Sequence, residues 1–173
     1  LQIARFIKMS EQLSEDLSSQ PLLHIANSAA IERFPIAQFD MVRLGIGLYG
    51  VGAAETPLMH VSTLRTRIVQ VKQVDSPETV GYGCEGVIDA PTRLATIPIG
   101  YADGIDRRLG NGNWNLLVNG IPAPTIGRIC MDICMIDITG IEAVEGDEVI
   151  IYGKTTGNTI EDMARVLGTI PYE

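Results

Sequence analysis

The sequence predicts a mainly β fold: an antiparallel β-barrel or sandwich domain preceded by a fragment of an α/β barrel of the TIM type. Three observations carry this. From about Val61 onward, short β-rich runs follow one another with Gly, Pro, Asn and Asp turns between them. Upstream, one amphipathic helix and two apolar runs repeat the helix–strand alternation of an α/β unit. Across the whole chain, 46% hydrophobic and 20% charged residues describe a chain with enough apolar side chains for a packed core, which excludes disorder. The division falls between residues 1–52, the incomplete α/β part, and residues 53–173, the β-rich part.

The elements follow in order. Over Gln2–Ser18, the residues Ile3, Phe6, Ile7, Leu13 and Leu17 share one helical face. Leu22–Ile25 reads as a short buried strand running into a polar turn. After the proline-containing connection RFPIAQFD, Met41–Gly50 reads as a second apolar strand punctuated by glycine. Two strands cannot close a barrel, so this part is incomplete. The runs LRTRIVQVKQV, TRLATIPIG, NWNLLV, CMIDIT and EVIIYG then read as strands. Val118-Asn119-Gly120-Ile121 marks a tight hairpin, because Asn-Gly accepts the positive φ angles of a type I′ turn. A late helix is capped by Thr159 with Asp162 three residues on, turns Ile160, Met163 and Leu167 inward, and stops at Gly168.

Several function classes are excluded. A net charge of −8 argues against nucleic acid and against an anionic membrane surface, which both need clustered Lys and Arg. The apolar runs are too short to span a bilayer, and the N-terminus is no signal peptide. The first residue is Leu, and the chain is expected to be a piece of a longer protein. Three cysteines, Cys84, Cys130 and Cys134, with no CxxC pair fit a reducing, cytoplasmic setting. With His24 and His60 as the only histidines, no metal site is expected.

In α/β barrels, phosphate groups sit in the loops after the last strands, held by backbone N–H groups. Asn27-Ser28 and Gly45-Ile46 are placed to supply a hydroxyl and close backbone approach, although singly each also reads as a polar turn and a packing glycine. The order His24, Ser28, Arg43, Gly45-Ile46 resembles the pyridoxal 5′-phosphate site of the bacterial alanine racemase family, with a match running through His24–Gly50. The resemblance implies that Ser28 and the Gly45-Ile46 backbone hold the phosphate, that Arg43 donates to the pyridine nitrogen, and that His24 orients Arg43. A guanidinium has only donors, so the nitrogen it meets stays unprotonated and the ring is a weaker electron sink. A weak sink suits removal and return of one proton and disfavours transamination.

The block VGYGCEG sets Tyr82 between glycines, on a tightly turned loop. Tyrosine ordinarily titrates near ~10, so it acts as a base only where a cation stabilises its phenolate. The bland reading is a surface tyrosine. The resemblance makes Tyr82 the second catalytic base, reaching into the other subunit's site, with a lysine serving the opposite face. IPIGYADGIDRRL at 97–109 and GRICMD at 127–132 match family signatures more specifically. By them, Tyr101 and Asp132 line the entrance to the partner's site, the Met131 N–H binds the substrate carboxylate, and Arg107 and Arg128 shape the access corridor. Without the resemblance, Asp103-Gly104 reads as a turn, Arg107-Arg108 as a solvated face and Met131 as core.

The resemblance extends over the whole chain but only to the back part of the family. No motif like KADAYGHG supplies the cofactor lysine; Lys8, Lys72 and Lys154 stand in other contexts, and Tyr172 in IPYE does not match the family's phosphate-contacting tyrosine. The expectation is therefore a homodimeric racemase of a small amino acid, making D-alanine for peptidoglycan, with the isolated chain inactive. The competing readings are a racemase of another amino acid, a PLP decarboxylase, and a non-catalytic dimerisation or PLP-binding β-domain.

Overall fold

The computed structural model describes residues 1–53, 58–155 and 157–173. The chain divides into two compact units, Leu1–Val61 and Ser62–Glu173.

The second unit follows from strands that pair with their neighbours. They are β1 (Leu64–Arg67), β2 (Gln70–Val74), β3 (Glu78–Val80), β4 (Gly86–Ile88), β5 (Thr92–Ile97), β6 (Asn115–Val118), β7 (Ile121–Ile126), β8 (Cys134–Asp137) and β9 (Glu148–Tyr152). Seven form one antiparallel sheet in the order β1-β9-β6-β7-β8-β5-β2, and β3 with β4 forms a separate ribbon. The two edge strands are separated only by Ile68 and Val69. The Ile68 N–H donates to Asp147 O at 3.0 Å and the Val69 N–H to Thr96 O at 2.9 Å. One stretch thus leaves β9 and joins β5, so the sheet curls until it supplies both of its own edges. It is a barrel and not a two-layer sandwich.

The core lies inside this curl. Ile68, Ile97, Val118, Ile136, Ile138, Val149 and Ile151 are almost wholly buried there. Burial of each such side chain contributes about 1.5–3 kcal/mol. Trp114 is buried with them, and its Nε1–H donates to Ile151 O at 2.8 Å, so its polar atom is satisfied. The Asn-Gly turn forms as expected: Asn119 and Gly120 take φ of 52° and 77°, and Val118 faces Ile121 across the hairpin. β7 carries Pro122 and Pro124, a pattern that hides a strand in sequence. Its pairing with β8 starts only at Thr125, beyond both prolines, so neither missing N–H breaks that ladder. The late helix, Ile160–Leu167, has the expected capping box between Thr159 and Asp162 and ends at Gly168 with φ 68°. Met163 and Leu167 pack on the barrel core.

In the first unit, α1 spans Gln2–Glu15 and α2 spans Ser28–Arg33, so the late helix is α3. α1 ends three residues earlier than its pattern predicts and buries none of its residues completely. The two apolar runs do not form the expected strands. Leu22 is 71% exposed, and the runs meet through one parallel bridge, Asn27 with Arg43, before Ile46–Tyr49 turns into 3₁₀ helix. A parallel strand is stabilised by neighbours on both sides. Among the described residues of this unit, each run has only the other.

Candidate active site

The first unit builds a cradle from the loop after Ile25. Asn27 caps α2 by accepting from the Ala30 N–H at 3.0 Å, which places Ser28 at the helix start. Ser28 is 5% exposed, and its Oγ accepts from the Gly45 N–H at 2.8 Å and the Gly47 N–H at 3.3 Å. A Cβ on Gly47 would stand 3.6 Å from Ser28 Oγ, an ordinary contact, and 2.9 Å from Leu44 Cδ1, the movable end of an exposed side chain, so the backbone passes close to Ser28 here. Beside the cradle, the Arg43 N–H donates to Ala26 O at 2.9 Å, which seats Arg43 next to His24. Arg43 Nη1 lies 3.0 Å from His24 Nδ1 and 3.4 Å from His24 O. Arginine can only donate, so Nδ1 accepts and the imidazole proton lies on Nε2.

His24, Ser28, Arg43 and Gly45, all expected on sequence, are therefore brought together. Gly47 joins them through its own N–H. Its signal was the second glycine of LGIGLYG. The donor set suits a phosphorylated heteroaromatic cofactor: N–H groups converging beside a hydroxyl favour an anion, and a guanidinium next to them favours a ring acceptor.

The second unit mounts Tyr82 at the tip of the β3–β4 ribbon. Gly81, Gly83 and Cys84 take φ of 79°, 72° and 56°, so the chain reverses sharply and leaves Tyr82 71% exposed. Tyr82, Met131 and Asp132 line one recess of about 520 Å³ with Gly81, Cys130 and Met135. The Tyr101 N–H donates to Cys130 O and the Ala102 N–H to Met131 O, both at 3.0 Å, which docks the GYAD turn on the GRICMD loop. A Cβ on Gly100 would come within 2.3 Å of Cys130 O, so that docking requires glycine. Met131 lines this recess, and its N–H has no acceptor among the described residues.

The Tyr101 and Arg107 side chains line a different recess, of about 700 Å³, with α3. Arg107 stands over the Tyr101 ring, 5.9 Å from its centroid. Its neighbour Arg108 is tied down by both oxygens of Asp106 and donates to Leu167 O at 2.7 Å, at the end of α3. Arg128 pairs with Glu85, whose second oxygen accepts from Asn111 Nδ2 at 3.1 Å. These two bonds, Arg128 first, hold the Glu85 carboxyl down at about 2. Glu85 and Asn111 escaped the sequence reading because their pairing spans 26 residues. Cys134 is buried in β8, and burial pushes its thiol up to about 12, so it stays protonated. Among the described residues, no three His, Cys, Asp or Glu side chains group as a metal site, and no helix is long and apolar enough to cross a membrane.

A first unit that brings Ser28, Arg43, Gly45 and Gly47 together, followed by a β-barrel unit presenting an exposed tyrosine, defines a two-part architecture of a helical piece and a β-domain. The comparisons with known proteins narrow it. The model of the alanine racemase C-terminal domain matches residues 61–173, and that of the alanine racemase N-terminal domain matches residues 1–53. The chain belongs to the alanine racemase family. Alanine racemase 1 of Caldanaerobacter subterraneus subsp. tengcongensis is 44% identical over 180 residues, covering 99% of this chain and 46% of that protein. Alanine racemase of Methanococcus maripaludis is 40% identical over 182 residues, covering 100% and 48%. Among solved structures, alanine racemase of Clostridium difficile 630 in complex with cycloserine superposes with a TM-score of 0.90 at 36% identity, covering 99% of this chain and 47% of that one. The Bacillus anthracis enzyme with bound L-Ala-P gives 0.86 at 32% identity, covering 96% and 45%. The chain thus spans about half the length of the relatives it matches.

Proposed function

We propose that this chain is the C-terminal half of a pyridoxal 5′-phosphate-dependent alanine racemase that interconverts L- and D-alanine in the cytoplasm for peptidoglycan. The observation that carries this reading is the recess that Tyr82, Met131 and Asp132 line together, the Met131 N–H having no acceptor among the described residues. It offers a base and a carboxylate-binding donor on one surface, which is what proton removal from an amino acid requires.

Pyridoxal 5′-phosphate, when bound, supplies the electron sink that acidifies the α-proton. Ser28 and the N–H groups of Gly45, Ile46 and Gly47, two of which donate to Ser28 Oγ here, would hold the phosphate. Arg43, which His24 orients by accepting from it, would donate to the ring nitrogen and so favour its unprotonated form. The Met131 N–H holds the substrate carboxylate. Tyr82 moves the α-proton on one face of the substrate, in the site of the partner subunit of a homodimer. Asp132 lines the approach beside Tyr82, while Tyr101 and Arg107, on the recess beside α3, and Arg128, paired with Glu85, would shape the corridor further out.

The lysine for the other face is not among the cradle residues: Lys8 lies on α1, Lys72 on β2 and Lys154 after β9, all exposed. The 173-residue chain alone is therefore expected to be inactive.

The test is a racemisation assay of the full-length protein with its cofactor, on alanine and on a panel of other L-amino acids. Alanine should be preferred. The Tyr82→Phe variant should lose at least about a hundredfold in rate, as expected for removing a positioned acid–base group. Racemisation undiminished in that variant would remove Tyr82 from the chemistry, and preference for another amino acid would reassign the substrate.

A further inference from the structure

We infer that Glu85 is a positioning residue for Tyr82, the node through which the tyrosine turn is fixed to two other loops of the barrel. The inference rests on the reading of Tyr82 as a base. A turn with positive φ at Gly81, Gly83 and Cys84 has little regular hydrogen bonding of its own, so its direction is set by what it touches.

The stem of the ribbon is held by packing. A Cβ on Gly127 would lie 2.6 Å from Val80 O, and one on Gly86 would lie 2.8 Å from Gly127 Cα. The tip is held differently. A Cβ on Gly83 would stand 3.4 Å from Arg128 Cζ and 3.5 Å from its Nη2, so the guanidinium lies against the backbone next to Tyr82. Arginine is long and rotamer-rich, and left free it would fix nothing. One oxygen of Glu85 pairs with Arg128 Nη2, while the other accepts from Asn111 at 3.1 Å.

Asn111 is itself anchored. Its N–H donates to Gly127 O at 3.0 Å, and the next residue, Gly112, donates to Thr125 O at 2.7 Å. One carboxylate therefore joins the ribbon tip, the loop that carries Met131 and the loop at 110–113. Exposed ion pairs add little to global stability, so the expected effect is on geometry and not on melting temperature.

The test follows α-proton exchange of L- and D-alanine with D₂O by NMR in the full-length enzyme with its cofactor. Tyr82→Phe first identifies the enantiomer whose exchange needs the tyrosine. Glu85→Ala should slow that exchange by about ten- to a hundredfold, the size of effect that a small misplacement of a reacting group produces. Exchange of the other enantiomer, KM and the melting temperature should stay near those of the parent, which also shows that the variant is folded. Glu85→Gln can still bond both partners once the Asn111 amide turns over, so it should restore most of the loss. Parental exchange in Glu85→Ala, an equal loss for both enantiomers, or a Glu85→Gln variant as slow as Glu85→Ala would each overturn the inference. If Tyr82→Phe silences one enantiomer and Glu85→Ala does not, the inference alone fails. If Tyr82→Phe leaves both rates intact, the base assignment fails and takes the inference with it.

Discussion

Residues 62–173 and residues 1–61 are comparably rich in apolar side chains but place them differently. The first set closes a barrel around Ile97, Ile136, Ile138 and Val149, all of them shielded from solvent. The second leaves Leu22, Phe34, Met41 and Leu48 exposed and buries little beyond Ala26, Ala37 and Ser28. Topology explains the difference. An antiparallel sheet can finish itself when one strand changes partners, as happens at Ile68–Val69. A parallel α/β segment has no such option, because each strand needs neighbours and each helix needs a sheet to cover.

The comparison can be broken most directly by separating the two parts. Residues 62–173 alone should unfold in one cooperative transition, and residues 1–61 alone should show none by circular dichroism. A cooperative transition in the short piece would contradict the account. Next in size, Ile136→Ala should cost the chain about 2–5 kcal/mol in denaturant unfolding, as for cavities in closed cores. By contrast Leu13→Ala on α1, 56% exposed, should stay within about 0.5 kcal/mol.

Smaller effects sharpen the picture inside the barrel. Gly127 has φ 69° and no room for a Cβ beside Val80 O, so Gly127→Ala should destabilise by about 1–3 kcal/mol. The α3 cap gives a pH signature. Burial pushes Asp162 up, but hydrogen bonds from Arg165, Thr159 and the Gly157 N–H outweigh it and hold its carboxyl down at about 2. A lowered carboxyl adds stability that is complete above its unfolded value near ~4 and disappears as pH falls towards 2. Thermal melts from pH 7 to pH 2 should therefore lose less in Asp162→Asn than in the parent across that window. Thr159→Ala should cost about 0.5–2 kcal/mol at neutral pH.

The same contrast governs how much could be read from sequence. The Asn119-Gly120 hairpin and the Thr159/Asp162 cap are local devices, decided within four residues, and both formed as expected. The short strands of the barrel were legible as β-rich runs set off by Gly, Pro, Asn and Asp turns. β7 was hidden by Pro122 and Pro124, which only a pairing that starts past them can accommodate. Leu22–Ile25 and Met41–Gly50 looked like strands because their side chains are apolar, but strand formation depends on partners that no local pattern contains. In the site, Arg43 and Tyr82 stood out through their glycine-marked surroundings, and Ser28 through the polar turn that follows an apolar run. Glu85 and Asn111 did not, since an ion pair across the fold leaves no periodic trace.

The two regions also have separate tasks in the proposed enzyme: the first cradles the cofactor, and the second delivers Tyr82 to the partner's cradle. The most direct test is complementation between two inactive full-length variants, Tyr82→Phe and the double variant Ser28→Ala/Arg43→Ala, dissociated and reassembled together. In a symmetric dimer with shared sites, each mixed dimer regains one intact site of two. Random mixing should then restore about one quarter of the parental activity. A mixture as inactive as either variant alone would contradict the account, because it would mean that Tyr82 and the cradle of the same subunit serve one site.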